Sequence, residues 1–255
     1  MNKILQKDLK EYLDKIYFSF KRKHSSKDPV WILHEFQDEK DIEIIGLITS
    51  CYAYGQVEQI NQFINKFLRN INFKVYEFTG NFSQQKDKKF LKDLYYRFNT
   101  EDDLSLLITN INNVITIYGS LQNLFLEKYE SSQENILPSL AYFNLKLNEI
   151  TNKNSYHGYL IPLVENNSTL KRLNLYLRWM IRKDEIDTGV WKKIDKAKLI
   201  IPVDTHVYRV SRKLKLVNRK TCDMKFALEL TEKLKKFDEL DPVKYDFALC
   251  HIDMK

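Results

Sequence analysis

The chain has 255 residues, 41 Lys and Arg against 34 Asp and Glu, and a formal net charge of +7. That length suits one domain or two intimately packed lobes with a real core. Three widely separated cysteines (Cys51, Cys222, Cys250), with no CxxC pair, exclude a cysteine metal or cluster motif, and no run of about 18 apolar residues is available to span a membrane.

In chain order, residues 6–22 read as an amphipathic helix, and Asp28-Pro29 opens a short one with proline at the first helical position. Ile42, Ile45, Leu47 and Ile48 lead a buried helix that stops near Gly55, and Val57, Ile60, Phe63, Ile64, Phe67 and Leu68 continue with helical period. Residues 74–86 are polar and mixed, which predicts a connector. Phe90, Leu91, Leu94, Tyr95 and Phe98 form the next stripe, followed by Leu104, Leu107, Ile108, Ile111, Ile115 and Tyr118, closed by Gly119. Residues 152–168, rich in Asn and Ser with Gly158 and Pro162, read as a long loop. Beyond it, Leu170, Leu173, Leu177 and Met180 predict the buried stripe of a helix whose other face carries Lys171, Asn174, Arg178 and Arg182. No stretch sustains period-two alternation and no segment repeats, so the predicted class is all-α, with about ten helices.

The most informative stretch is Ile200-Ile201-Pro202-Val203-Asp204-Thr205-His206-Val207-Tyr208-Arg209-Val210-Ser211-Arg212-Lys213-Leu214. An extended, proline-stiffened segment turns here into a basic amphipathic helix: Val207, Val210 and Leu214 share one face, while Arg209, Arg212 and Lys213 point away. Asp204 stands where an N-cap belongs. A cap alone is worth about 1 kcal/mol and needs neither the preceding Pro-Val nor the basic face. Charge concentrates in the same region. Residues 166–220 hold 15 Lys and Arg against 5 Asp and Glu, a local +10 within a total of +7, leaving −3 elsewhere. An AT-rich coding sequence would spread lysines evenly, so this concentration favours nucleic acid as a partner. His206 reads as a surface or phosphate-contacting residue, and Arg209, Arg212 and Lys213 as either a solvated face or phosphate contacts. Trp179 and Trp191 read as packing residues. His34, His157, His206 and His251 lack metal-ligand spacing, and no metal or cofactor is expected. The start lacks an apolar signal core, and isolated cysteines fit a reducing compartment, so the expected location is cytoplasmic.

Pro202-Val203-Asp204-Thr205-His206-Val207, with Arg209-Val210 following, resembles the aspartate motif of the helix–hairpin–helix (HhH-GPD) DNA glycosylases, such as endonuclease III. Closer likeness runs through Lys171-Arg172-Leu173-Asn174-Leu175-Tyr176-Leu177-Arg178-Trp179-Met180-Ile181-Arg182-Lys183-Asp184 and Asp241-Pro242-Val243-Lys244-Tyr245-Asp246-Phe247-Ala248-Leu249. Asp28-Pro29-Val30-Trp31, Asp41-Ile42-Glu43-Ile44 and Ala53-Tyr54-Gly55 add to it. Those strings resemble an uncharacterised bacterial domain-of-unknown-function family. The likeness to active glycosylases implies a two-lobed all-α fold with a cleft, in which residues 1–40 and 220–255 share one lobe and 41–219 form the helical core. It implies Asp204 as the catalytic carboxylate. Lys171 becomes the candidate amine nucleophile when Lys171-Arg172-Leu173-Asn174 is laid on the family's lysine and the three residues after it. Asn174, Arg178, His206, Arg209, Arg212 and Lys213 become candidate DNA contacts, with duplex DNA carrying a damaged or mismatched base as partner. Tyr52, Tyr54 and Gln56 lie where the resemblance would put residues that fill the space left by a flipped base.

Three departures stand beside it. The family's Gly-x-Gly hairpin turn is replaced by Asn166-Asn167-Ser168-Thr169, residues 183–199 lengthen the interval between Lys171 and Asp204, and the four-cysteine cluster set of many relatives is missing. Two readings therefore stay open: a base-excising enzyme, or a non-catalytic nucleic-acid binding module on the same fold.

Overall fold

The computed structural model describes residues 3–20, 27–149, 157–164 and 168–252. Among these the chain forms thirteen α-helices with short 3-10 turns and no β-strand, so the predicted all-α class is the observed one. It divides into two compact units, one of Met1–Ser26 with Asn167–Lys255 and the other of Lys27–Asn166. The basic stretch 166–220 therefore groups almost wholly with the two ends of the chain rather than with residues 41–166.

The unit of the chain ends opens with α1 (Lys3–Phe20), which buries Leu13 and Tyr17 one turn apart. In the middle unit, Asp28 accepts the Val30 N–H at 2.9 Å and starts a 3-10 helix, Pro29–Glu35. Helix α2 (Glu39–Cys51) is apolar nearly all round and is buried from Ile42 to Cys51. Buried Glu43 accepts backbone N–H groups of Leu121 (3.2 Å) and Gln122 (2.6 Å), fixing the start of a later helix against α2. Helix α3 (Val57–Asn70) buries the predicted Ile60, Phe63, Ile64, Phe67 and Leu68.

Residues 74–86 are not the predicted connector: they hold α4 (Val75–Gly80) and α5 (Gln84–Asp87). The N–H that starts α4, that of Tyr76, donates to Asp41 Oδ1 at 2.7 Å. The cap comes from another helix, so local sequence carries no trace of it. The stripe at Phe90–Phe98 is not a helix either. A 3-10 turn, Lys88–Leu91, gives way to backbone with positive φ at Asp93 (61°) and Arg97 (55°). Only Leu91, Leu94 and Tyr96 of this stretch's large apolar residues are buried. Helix α6 (Glu101–Tyr118) starts with a Thr100–Asp103 capping box, and it ends at Gly119, where the sequence closes the stripe. Helices α7 (Leu121–Leu126), α8 (Leu137–Leu147) and α9 (His157–Leu160) pack against it. Helix α9 interrupts the predicted loop; residues 152–156 lie outside the described residues, as do Asn166 and Asn167 of the hairpin turn.

The chain then returns to the first unit. Helix α10 (Lys171–Ile181) buries every residue from Leu173 to Ile181 rather than one stripe. It ends in a tight turn. Asp184 Oδ1 accepts from the Ile186 and Asp187 N–H groups (2.8 and 2.7 Å), and Gly189 and Trp191 N–H groups return to the Trp179 and Met180 carbonyls (3.1 and 2.7 Å). Helices α11 (Thr205–Lys213), α12 (Met224–Lys235) and α13 (Tyr245–His251) complete the unit, with α13 packed on both α1 and α11. Trp179 and Trp191 are core residues, and the Trp191 ring meets the edge of Tyr176 at 5.4 Å.

The turn after α10 depends on Gly189, whose φ is +59° and whose Cβ, if present, would lie 2.6 Å from Lys183 Cβ and 2.7 Å from the Arg182 carbonyl oxygen. Gly189→Ala is expected to lower unfolding free energy by at least about 2 kcal/mol, from a left-handed backbone plus a clash with main chain. Urea unfolding followed by circular dichroism checks this; a loss under about 0.5 kcal/mol would mean the turn relaxes freely.

Candidate functional site

Two buried guanidiniums organise the unit that carries the candidate site. Arg178 pairs with Asp246 and, at 3.2 Å, with Asp187. Arg182 pairs with Asp187, with Asp184 at 3.0 Å and with Asp241 at 2.8 Å, and Lys196 reaches Asp241 at 3.3 Å. Tyr17 of α1 donates to Asp184 Oδ2 at 2.5 Å. Beside this network, Asp14 of α1 accepts from the Tyr245 hydroxyl at 3.0 Å and lies 3.6 Å from Lys244. Burial pushes Asp187 up to about 6 despite both arginines. Burial works against Asp184 as well, but Arg182, the two turn N–H groups and Tyr17 hold its carboxyl below the ordinary range.

Asp204 caps α11 from an extended backbone: Oδ1 accepts the N–H groups of His206 (2.9 Å) and Val207 (2.8 Å). Oδ2 takes no hydrogen bond among the described residues, and the side chain is half-buried. The segment leading to it is fixed at both sides. The Ile201 N–H donates to Thr231 Oγ1 of α12 at 3.0 Å, and the Val203 carbonyl accepts from Thr169 Oγ1 at 2.7 Å. Thr169 lies two residues before Lys171, so the starts of α10 and α11 are bonded together through their leading residues. Leu170, between Thr169 and Lys171, is in the left-handed region at φ 48°. Buried Asp246 is raised by burial, drawn down by Arg178, raised by Asp204 and drawn down by Lys171. The Cys250 thiol is raised well above its ordinary value by burial, Asp246 and Asp204, against the pull of Arg178 and Lys171. Asp204, Lys171, Asp246, Cys250 and Arg178 thus share one electrostatic neighbourhood.

The structure divides the residues singled out in the sequence. Lys171 and Asp204 stand half-buried at adjoining helix starts. Arg209, Arg212 and Lys213 are exposed along α11; Arg212 lies 5.8 Å from the Tyr208 ring centre, and its Nη1 is 3.3 Å from the Tyr208 hydroxyl. His206 is half-buried, its Nε2 2.9 Å from the Ile252 carbonyl oxygen. Asn174 and Arg178 do not lie on an outward face. Asn174 is buried with Nδ2 donating to the Thr169 carbonyl at 2.9 Å, and Arg178 is buried between two aspartates, so neither presents a donor to phosphate. Part of the local charge excess is therefore internal. Tyr52 is also core, stacked 4.4 Å from Phe63.

Sequence reasoning missed Asp246, Asp241 and Asp187. A signal was available: the strings 178–184 and 241–246 carry complementary charges, and the fold pairs Arg178 with Asp246 and Arg182 with Asp241. Among the described residues no group of three or more His, Cys, Asp or Glu side chains is arranged to hold a metal ion. No helix among them is long and apolar enough to cross a membrane.

The family described as protein of unknown function (DUF2400) matches residues 28–255, and the chain belongs to that family. No curated protein and no solved structure matches it.

Two outcomes follow from the buried network. Arg182→Ala takes one guanidinium from three carboxylates, of which Asp187 keeps Arg178 and Asp241 keeps Lys196, and is expected to cost about 3–5 kcal/mol, read by urea unfolding; a loss below about 1 kcal/mol would show that the Arg182 ion pairs are dispensable. Asp184 has a depressed folded pKa, so its stabilisation is complete above the ordinary carboxyl value, about 4, and is lost as pH falls through the folded value. Asp187 titrates at about 6 and is raised in part by Asp184, so the comparison is made below about pH 5, where the stability gap between wild type and Asp184→Asn should narrow as pH falls below about 4. A gap that widens in acid would contradict the assignment.

Proposed function

We propose that this member of the DUF2400 family is a helix–hairpin–helix glycosylase-like protein with a degenerate hairpin, which engages DNA through the unit containing α10 and α11 and acts on a damaged or mismatched base through Asp204. The observation that carries this reading is the bonded junction of the two helix starts. Thr169 Oγ1 holds the Val203 carbonyl at 2.7 Å, which brings the segment of Lys171 to that of Asp204 across an interval of more than thirty residues. Arg209, Arg212 and Lys213, exposed on the helix that Asp204 caps, supply cations for backbone phosphates.

The chemistry follows from one carboxylate with one committed oxygen. Breaking the bond between C1′ and the base nitrogen leaves its electron pair on the departing base and positive charge on the sugar. A carboxylate beside that sugar stabilises the developing cation. Asp204 Oδ1 is fixed by two N–H groups, which hold Oδ2 in one direction. Water adding to C1′ then loses a proton and leaves an abasic site. In the bifunctional variant the neutral Lys171 amine adds to C1′ instead, its nitrogen loses a proton, and the C1′–O4′ bond breaks with its electron pair and a proton going to O4′, which leaves a Schiff base.

One observation favours the second reading, a binding module without turnover. The left-handed position before α10 is held by a buried Leu170 rather than by glycine, so the turn lacks the bare backbone that a close phosphate approach uses. In that reading Asp204 is a cap alone.

Base release from duplex oligonucleotides carrying oxidised, alkylated or deaminated bases, with an abasic duplex added for borohydride trapping, separates the two. Asp204→Asn is expected to reduce excision at least about a hundredfold while leaving duplex affinity within about twofold. A borohydride-trapped adduct lost in Lys171→Ala would mark the bifunctional course. Excision at wild-type rate by Asp204→Asn sinks the assignment of Asp204, and duplex binding without excision of any lesion supports the module.

A further inference from the structure

The middle unit carries a separate feature that the Asp204 site does not use. Tyr96 and Asn99 pair through their backbones at 2.8 and 3.0 Å, making a tight turn whose tip is Arg97 and Phe98, with Arg97 at φ 55°. A left-handed backbone is unfavourable for arginine, yet the turn is locked from two sides. The Tyr54 hydroxyl donates to Asn99 Oδ1 at 2.6 Å, and the Tyr96 hydroxyl donates to the Tyr54 carbonyl. The Arg97 side chain lies against the bare face of Gly55, where a Cβ would come within 2.6 Å of Nη1. Its guanidinium is 5.8 Å from the Tyr54 ring centre and 5.6 Å from that of Phe98. The Tyr159 ring meets Tyr54 at 5.1 Å and Phe98 at 6.0 Å, both edge-on.

Such a lock would ordinarily serve to bury its rings, but here it displays them. Tyr95 is 74% exposed, Phe98 54% and Tyr159 42%. The segment leading to the turn is basic: residues 86–97 hold five Lys and Arg against two Asp, with Lys86, Lys89 and Lys92 exposed. Acidic groups do stand close by, since Lys88 pairs with Asp102 at 2.5 Å and Asp93 is exposed. The cations nevertheless outnumber them along the turn.

We propose that the Arg97–Phe98 turn, with Tyr95 and Tyr159, is a stacking platform for unpaired nucleobases of a single nucleic-acid strand. Aromatic faces stack on any base, guanidinium adds a cation–π contribution, and lysines beside them track the phosphates. Bases within a duplex are already stacked and their faces closed off, so the ligand is single-stranded. The source of the strand, DNA or RNA, shares this chemistry. The platform lies wholly within residues 27–166 and does not depend on the reading of Asp204.

The test is fluorescence anisotropy of labelled oligothymidylate and oligouridylate with the full chain. Phe98→Ala is expected to weaken binding about tenfold, Phe98→Trp to restore it, and Arg97→Ala to weaken it and flatten its salt dependence. Ile117→Ala, at an exposed apolar side chain of α6, serves as the comparator and should bind single strands like wild type; the assay reads no excision, so failure of the excision chemistry leaves this result intact. The stronger of the two oligonucleotides identifies the natural strand. The platform is overturned if wild type binds neither one. It is equally overturned if Phe98→Ala, natively folded by circular dichroism, binds like wild type, or if Phe98→Trp binds no better than Phe98→Ala.

Discussion

Two arginine guanidiniums one helical turn apart, Arg178 and Arg182, are buried in the unit built from the chain ends, and each must be neutralised where it lies. An unpaired charge in the interior is costly, and neither guanidinium can shed its proton. Asp187 and Asp184 come from the turn that follows α10, Asp241 and Asp246 from the far end of the chain, and Tyr17 of α1 completes the shell of Asp184. One helix thereby collects segments separated by more than two hundred residues of sequence. Because the fork of a guanidinium satisfies its donors only in defined directions, the network fixes where α13 lies against α10.

That placement reaches the candidate site. Asp246 leads one way to Arg178 and the other way into the neighbourhood of Lys171, Cys250 and Asp204. The carboxylate at the start of α11 is thus backed by a buried carboxylate already committed to arginine. Its own Oδ1 is committed to two N–H groups. Around half-buried Asp204 stand a half-buried lysine, Lys171, at the adjoining helix start and a row of cations, Arg209, Arg212 and Lys213, exposed along α11.

The sequence misled where a side chain's role depends on a distant partner. Arg178 falls at helical spacing from Lys171, and a cation there reads as an outward contact. It is internal because Asp187 and Asp246 reach it. Helix α4 hides in a polar stretch because its capping group, Asp41, belongs to α2. The stripe at Phe90–Phe98 has helical spacing, yet the backbone turns at Asp93, held by Glu101 and Lys66, and at Arg97, where Tyr54 from elsewhere in the unit bonds the turn shut.

By itself the sequence determined the all-α class, the presence of α2 and α3, the end of α6 at Gly119 and the cap at Asp204, because periodicity and capping act within a turn or two of chain. It also carried the family likeness from Asp28-Pro29-Val30-Trp31 to the segment around Tyr245-Asp246. Only the tertiary structure decided which charges of the basic stretch face solvent, that the starts of α10 and α11 meet through Thr169 and Val203, and that Phe98 and Tyr95 stand outward. Ion pairs, hydrogen bonds and exposure of that kind depend on groups brought together from far along the chain, and composition and local spacing do not encode those distances.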